Sequence, residues 1–155
     1  MSRNRILISN RQRLFHFPPE LVRSVINTTL EDAKILDDCE VSIVFCRDSM
    51  MKKLNRKYRN IDEPTDVLAF PQFEGKEFLK PGNGVYILLG DVVISTESAM
   101  RNAKRYGSSV VTEIARLLIH GTLHLLGWRD DDSGSKKRMQ EKVKSLLYRE
   151  GLDLE

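Results

Sequence analysis

Cysteine and histidine are both scarce in this chain of 155 residues, which has two of the first and three of the second. Cys39 and Cys46 form no C-x-x-C pair, so cysteine supplies neither a zinc signature nor a disulfide framework. A dominant charge is missing too. Twenty-five basic residues face 22 acidic ones, and the net charge of +3 neither establishes a nucleic-acid partner nor opposes one. The longest apolar stretch, around Leu117–Leu126, is interrupted by two histidines and is too short and polar to span a bilayer. The segment Met1–Arg13 carries four arginines but no apolar core of a secretory signal. Internal repeats, low-complexity tracts and domain-splitting linkers are absent as well. These absences argue against membrane and disulfide-stapled secreted classes. They point to a cytoplasmic protein with reduced thiols.

What is present suits one globular domain over residues 1–155, with 41% apolar and 30% charged residues. A chain of this size buries roughly 68–70% of its unfolded surface, enough for a single core. Ile6–Ile8 suits an edge strand. Pro18 and Pro19 can open a helix, along which Leu21, Val22, Val25, Ile26, Leu30 and Ala33 recur at helical spacing. Val41, Ile43 and Phe45 alternate as in a strand. Asp48 is a plausible N-cap for a basic helix carrying Met51, Leu54 and Tyr58. Ile61–Thr65 reads as a loop because of Pro64, and Asp66–Phe70 as a strand stopped by Pro71. Gln72–Gly84, with three glycines and a proline, reads as a long mobile loop. Val85–Ser95 is a second strong strand, in which Gly90 suggests a bulge or a close backbone approach. Ser95 or Thr96 can cap a helix stopped by Gly107. Val110–Leu126 is apolar nearly all round and should be a buried central helix. Gly134 or Ser135 opens a last amphipathic helix to Arg149. Strands and helices mix without strict alternation, which predicts an α+β fold: a small mixed β-sheet packed against helices, with the central helix carrying the histidines.

His120 and His124 sit at i and i+4 and share one face of that helix. Two imidazoles on one face can grip one metal ion, and after the helix-ending Gly127 the chain can bring Asp130 back as a third ligand. Three protein ligands leave a tetrahedral site open for water or substrate. The plainer alternative is a pair of core histidines with satisfied ring nitrogens.

The run His120-Gly121-Thr122-Leu123-His124-Leu125-Leu126-Gly127-Trp128 resembles the H-G-x-L-H-L-x-G-[YW]-D-H signature of the YbeY family of metal-dependent endoribonucleases. Two further blocks resemble the family in order. One is Leu54–Arg59 followed by Pro64–Pro71, and the other is Leu89–Ser95. The resemblance covers about residues 40 to 130. It implies an enzyme that cleaves single-stranded RNA, acting in rRNA maturation at the 3′ end of the small-subunit rRNA and in ribosome quality control. It also implies one Zn2+ per chain, other divalent ions being admissible, and rRNA and the small ribosomal subunit as partners, with no role for DNA or a membrane. Arg59 is implied as the active-site arginine, its planar fork suited to the scissile phosphate.

One departure stands out. The family pattern closes with Asp-His, whereas this chain reads Arg129-Asp130. A carboxylate is an accepted zinc ligand, so Asp130 takes the histidine's place, with Asp131 or Asp132 one slip away. An anionic ligand weakens the Lewis acid and admits harder ions such as manganese. Metzincin peptidases share the spacing of His120, His124, Gly127 and Asp130, but they need a glutamate base where this chain has Gly121. No pattern names a general base. Lys52, Lys53, Arg56 and Lys57 offer a footprint for RNA, or simply the wet face of their helix, and no second aromatic interleaves with them to make a stacking platform. Glu113 could orient a ligand or pair with Arg116, Asp66 could hold Arg59, and His16 belongs to no motif. The rival to the enzyme is a ribosome- or RNA-binding protein whose metal is structural.

Overall fold

In a computed structural model, which describes residues 4–35, 38–73 and 86–152, four strands form one mixed sheet. Strands β1 (Arg5–Asn10), β2 (Cys39–Cys46), β3 (Val67–Pro71) and β4 (Ile87–Ser95) lie in the order β1-β2-β4-β3. The β1–β2 and β2–β4 pairs are parallel and β3–β4 is antiparallel. The helices are α1 (Pro19–Asp32), α2 (Asp48–Arg59), α3 (Thr96–Tyr106), α4 (Val110–Leu125) and α5 (Ser133–Arg149). This is the expected α+β fold. The expected edge strand at Ile6–Ile8 is β1, and the expected glycine-rich loop falls, from residue 74 onward, outside the described residues.

Alternation divides the strands between two faces. Val41, Ile43, Phe45, Val92 and Ile94 turn to the main core, where α1, α4 and α5 contribute Val22, Ile26, Leu30, Leu118, Leu123 and Leu146. Cys46, Leu68 and Val93 turn the other way and meet Met51 of α2. Helix α4 is buried along most of its length, as its apolar sequence requires.

Two glycines let α4 lie close to the sheet. A Cβ on Gly121 would stand 2.5 Å from Val92 Cγ1 and 3.3 Å from Val67 Cγ2, so this is where helix and sheet touch. Gly90 combines both features its position suggested. The β2–β4 register slips at Glu40/Val41, and at φ +138° a side chain on Gly90 would collide with the Phe70 carbonyl and Leu125.

Two capping expectations are corrected. Asp48 is the first residue of α2 and does not cap it. Its carboxylate accepts hydrogen bonds from Ser95 Oγ (2.6 Å), Ser98 Oγ (2.8 Å) and Arg101 (2.7 Å) at the start of α3. Glu97 of α3 in turn accepts the Asp48 N–H (2.8 Å) and so closes the start of α2, while α3 is capped by Ser95 Oγ, which accepts the Ser98 N–H (3.2 Å). At α5 the cap is Asp132, two or three residues before the expected start at Gly134 or Ser135. Its carboxylate accepts the Ser135 N–H (2.7 Å), and the Ser135 hydroxyl closes the reciprocal half of a capping box.

Candidate metal centre and its cleft

The end of α4 folds back on its own histidines. Gly127, at φ +93°, donates its N–H to His124 O (3.1 Å), and the Trp128 N–H reaches Leu123 O (3.0 Å). This paired arrangement ends a helix on a left-handed residue, which glycine adopts without strain. The returning chain makes two contacts with the histidine face. Trp128 O lies 3.1 Å from His124 Nδ1. A carbonyl can only accept, so Nδ1 carries the proton and Nε2 keeps its lone pair for a ligand. Two residues later, Asp130 Oδ2 stands 3.5 Å from His120 Nε2 and 3.4 Å from His124 Nε2.

The two Nε2 atoms are 3.1 Å apart, which completes a triangle with edges of 3.1, 3.4 and 3.5 Å. Ligands about 2.0–2.1 Å from a tetrahedral ion stand roughly 3.3 Å apart. The three donors therefore fit a divalent ion as they lie, and His120, His124 and Asp130 form a group that could hold one. Burial lowers the pKa of His120 below the ordinary histidine value, and His124 pushes in the same direction against the opposing pull of Asp130. The neutral, ligating form is thereby favoured.

The neighbouring acids are engaged elsewhere. Asp132 caps α5, and Asp131 pairs with Arg129 on the surface. Cysteine chemistry is also remote from the site. Burial, with Asp38 beside one thiol and Asp48 beside the other, raises the pKa values of Cys39 and Cys46 to about 11.

The three donors open onto a cleft of about 390 Å³, lined also by Arg59, Thr65 and Asp66 and by Val67, Leu68, Ala69 and Pro71 of β3. β3 is an edge strand, so the cleft runs along the rim of the sheet between the ends of α2 and α4. Arg59 reaches it because α2 ends there, with Asn60 at φ +59° turning the chain away.

Asp66 does not hold Arg59. It accepts from Asn102 Nδ2 (3.1 Å) and lies 3.8 Å from Arg116 Nη2. Glu113 is 1% exposed and takes the paired alternative, accepting Arg116 Nε (2.9 Å) and Nη2 (2.7 Å), with Asn102 Nδ2 at 3.0 Å. These four residues brace the wall beside His120. Arg116 precedes His120 by one helical turn, a spacing that could have found it. Asn102 carried no signal in the sequence. His16 is exposed and belongs to no described interaction.

The sequence matches the family model described as Endoribonuclease YbeY over residues 8–151. The chain belongs to the YbeY endoribonuclease family. Endoribonuclease YbeY of Caldanaerobacter subterraneus subsp. tengcongensis is 39% identical over 154 residues, covering 95% of this chain and 98% of the relative. Endoribonuclease YbeY of Thermoanaerobacter sp. strain X514 is 40% identical over 152 residues, covering 93% and 96%. The solution structure of TM1509 from Thermotoga maritima superposes with a TM-score of 0.56 at 23% identity, over 93% of this chain and 90% of that one, and so shares the fold. Among the described residues of this YbeY-family member, no helix is long and apolar enough to cross a membrane.

Proposed function

We propose that this YbeY-family chain cleaves single-stranded RNA, with one zinc ion held by His120, His124 and Asp130 and with Arg59 on the scissile phosphate. The observation that carries the reading is the meeting, in one open cleft, of three donors at tetrahedral spacing with a guanidinium. When bound, the ion supplies Lewis acidity toward the phosphodiester. The chain's own residues do the rest. Trp128 O fixes the tautomer and orientation of His124. Arg59 offers its fork to the non-bridging oxygens and offsets the charge that builds there. Lys52, Lys53, Arg56 and Lys57 are exposed along α2 and draw the strand in.

The finer assignment rests on the family likeness. It comprises maturation of the small-subunit rRNA 3′ end, ribosome quality control, contact with the small ribosomal subunit, a cytoplasmic setting and a single domain spanning residues 1–155. A purely structural ion in an RNA-binding protein is the weaker reading, because the donors face a cleft instead of being closed off. Peptide hydrolysis is disfavoured on two counts: Gly121 offers no base, and a glutamate there would meet Val92 and Val67.

The test is a metal-replete assay on single-stranded RNA, duplex RNA and casein. Cleavage of the single strand alone is expected, abolished in His124→Ala. In Arg59→Ala it should fall about 10²–10³-fold, the scale of losing one transition-state donor, with stability within about 0.5 kcal/mol of the parent. Casein hydrolysis lost in His120→Ala would overturn the assignment. RNA binding without any turnover would favour the structural-metal reading.

A further inference from the structure

Tyr58 is 57% exposed, yet it is not loose. Its ring meets that of Phe70 at 65°, with centroids 5.1 Å apart. Phe70 packs in turn against the small cluster of Met51, Leu68 and Val93, so the sheet braces a surface aromatic. Chain neighbours fix where this pair lies. Arg59 follows Tyr58, Ala69 and Pro71 bracket Phe70, and all three of those neighbours line the cleft of the candidate metal centre. Alternation turns Phe70, like Leu68, to the face opposite Ala69 and Pro71, so the pair lies across the edge strand β3 from the cleft, next to Arg59.

One cation lies over the Tyr58 ring and others share its helix. Lys57 Nζ lies 5.2 Å from the Tyr58 ring centroid, and Lys53 and Arg56 are exposed on the same helix. A rigid aromatic surface set among mobile cations is the combination that holds single-stranded nucleic acid. The ring takes a base, and the cations take the phosphates on either side. The sequence showed only one aromatic among these basic residues, because the second comes from β3.

We propose that Tyr58, braced by Phe70, is the stacking platform for an unpaired nucleobase of the strand that passes Arg59 and crosses the edge of β3; this rests on the RNA-cleavage reading above. The exposed side chain of Lys57 yields the ring face to the base and keeps its charge by the adjoining phosphate. A base can reach the platform only if it is out of a duplex, so single-strand preference follows from access and not from sequence readout. The interaction uses the ring and not the phenol, so Phe serves where Ala does not.

The experiment uses the metal-loaded protein and a short single-stranded RNA carrying one 2-aminopurine, read by stopped flow before turnover. The parent and Tyr58→Phe should quench the fluorescence. Tyr58→Ala should bind about 5- to 150-fold more weakly, the range for loss of one base–aromatic stack, without the quench and with an unchanged melting temperature. An abasic nucleotide scanned along the RNA should weaken binding to the parent at one position and have no effect there on Tyr58→Ala. If Tyr58→Ala matches the parent in affinity and quench while RNA is still cut, the platform is wrong and the nuclease reading stands. If the parent neither binds nor cuts RNA, both fall.

Discussion

Asp130 in place of a histidine changes the charge of the three-donor set from zero to minus one. On the proposed ligand set, Asp130→Ala should weaken zinc binding by more than the about 10–100-fold that follows loss of a mere supporting residue. Asp130→His should bind zinc at least as well as the parent and manganese less well, since a neutral imidazole replaces a hard oxygen. Competition against a chromophoric chelator measures both. Full zinc affinity in Asp130→Ala would remove this carboxylate from the set.

Protonation follows from the burial of His120. Its folded pKa is lowered, so as pH drops through about 6.5 the unfolded chain takes up this proton first, and acid disfavours folding through this residue. An NMR titration of the metal-free protein should find the His120 midpoint below that value, and a midpoint above it would contradict the assignment. At this scale the paired histidines and Gly127 were readable from spacing alone. Which aspartate returns to them was not. That choice depends on the turn at Gly127, on Asp131 meeting Arg129, and on Asp132 being taken up by the start of α5.

Among the elements, α4 is defined as much by a missing side chain as by its apolar ones. An alanine in a helix interior normally gains about 1 kcal/mol over glycine. At Gly121 the new methyl would press on Val92 at 2.5 Å, and overpacking of this kind costs about 1–3 kcal/mol. Gly121→Ala should therefore show no stabilisation, with a net loss of about 0–2 kcal/mol in urea unfolding. A stabilised variant would mean that α4 can move off the sheet at little cost.

Sequence patterns placed the helices well where local rules decide, as at Pro19, Ser95 and Gly107. They failed at Asp48, whose cap partners lie about 50 residues away on α3. A local rule cannot see a carboxylate drawn off by a neighbouring helix.

For the molecule as a whole, the candidate centre joins the last turn of α4 to the chain leading into α5. An ion bound there only in the folded state should raise stability by about 2.7 kcal/mol at 100 times its Kd. Thermal melts with and without added zinc measure this. The rise should vanish in His124→Ala, and an equal rise in that variant would place the ion elsewhere. The strand inventory was legible from alternation, but the order β1-β2-β4-β3 was not, because pairing across long separations leaves no local mark. The same holds for the junction of Asp66, Asn102, Glu113 and Arg116, which gathers residues from the β3 approach, α3 and α4.

The chain's two cysteines are both buried, and with pKa values of about 11 they hold almost no thiolate at neutral pH. To an alkylating reagent the native protein is therefore nearly silent. A cysteine placed on the wet face of α2, as in Lys53→Cys, becomes the one fast-reacting thiol of the fold. A dye attached there would report on α2, the helix that ends at Arg59, without first stripping the background.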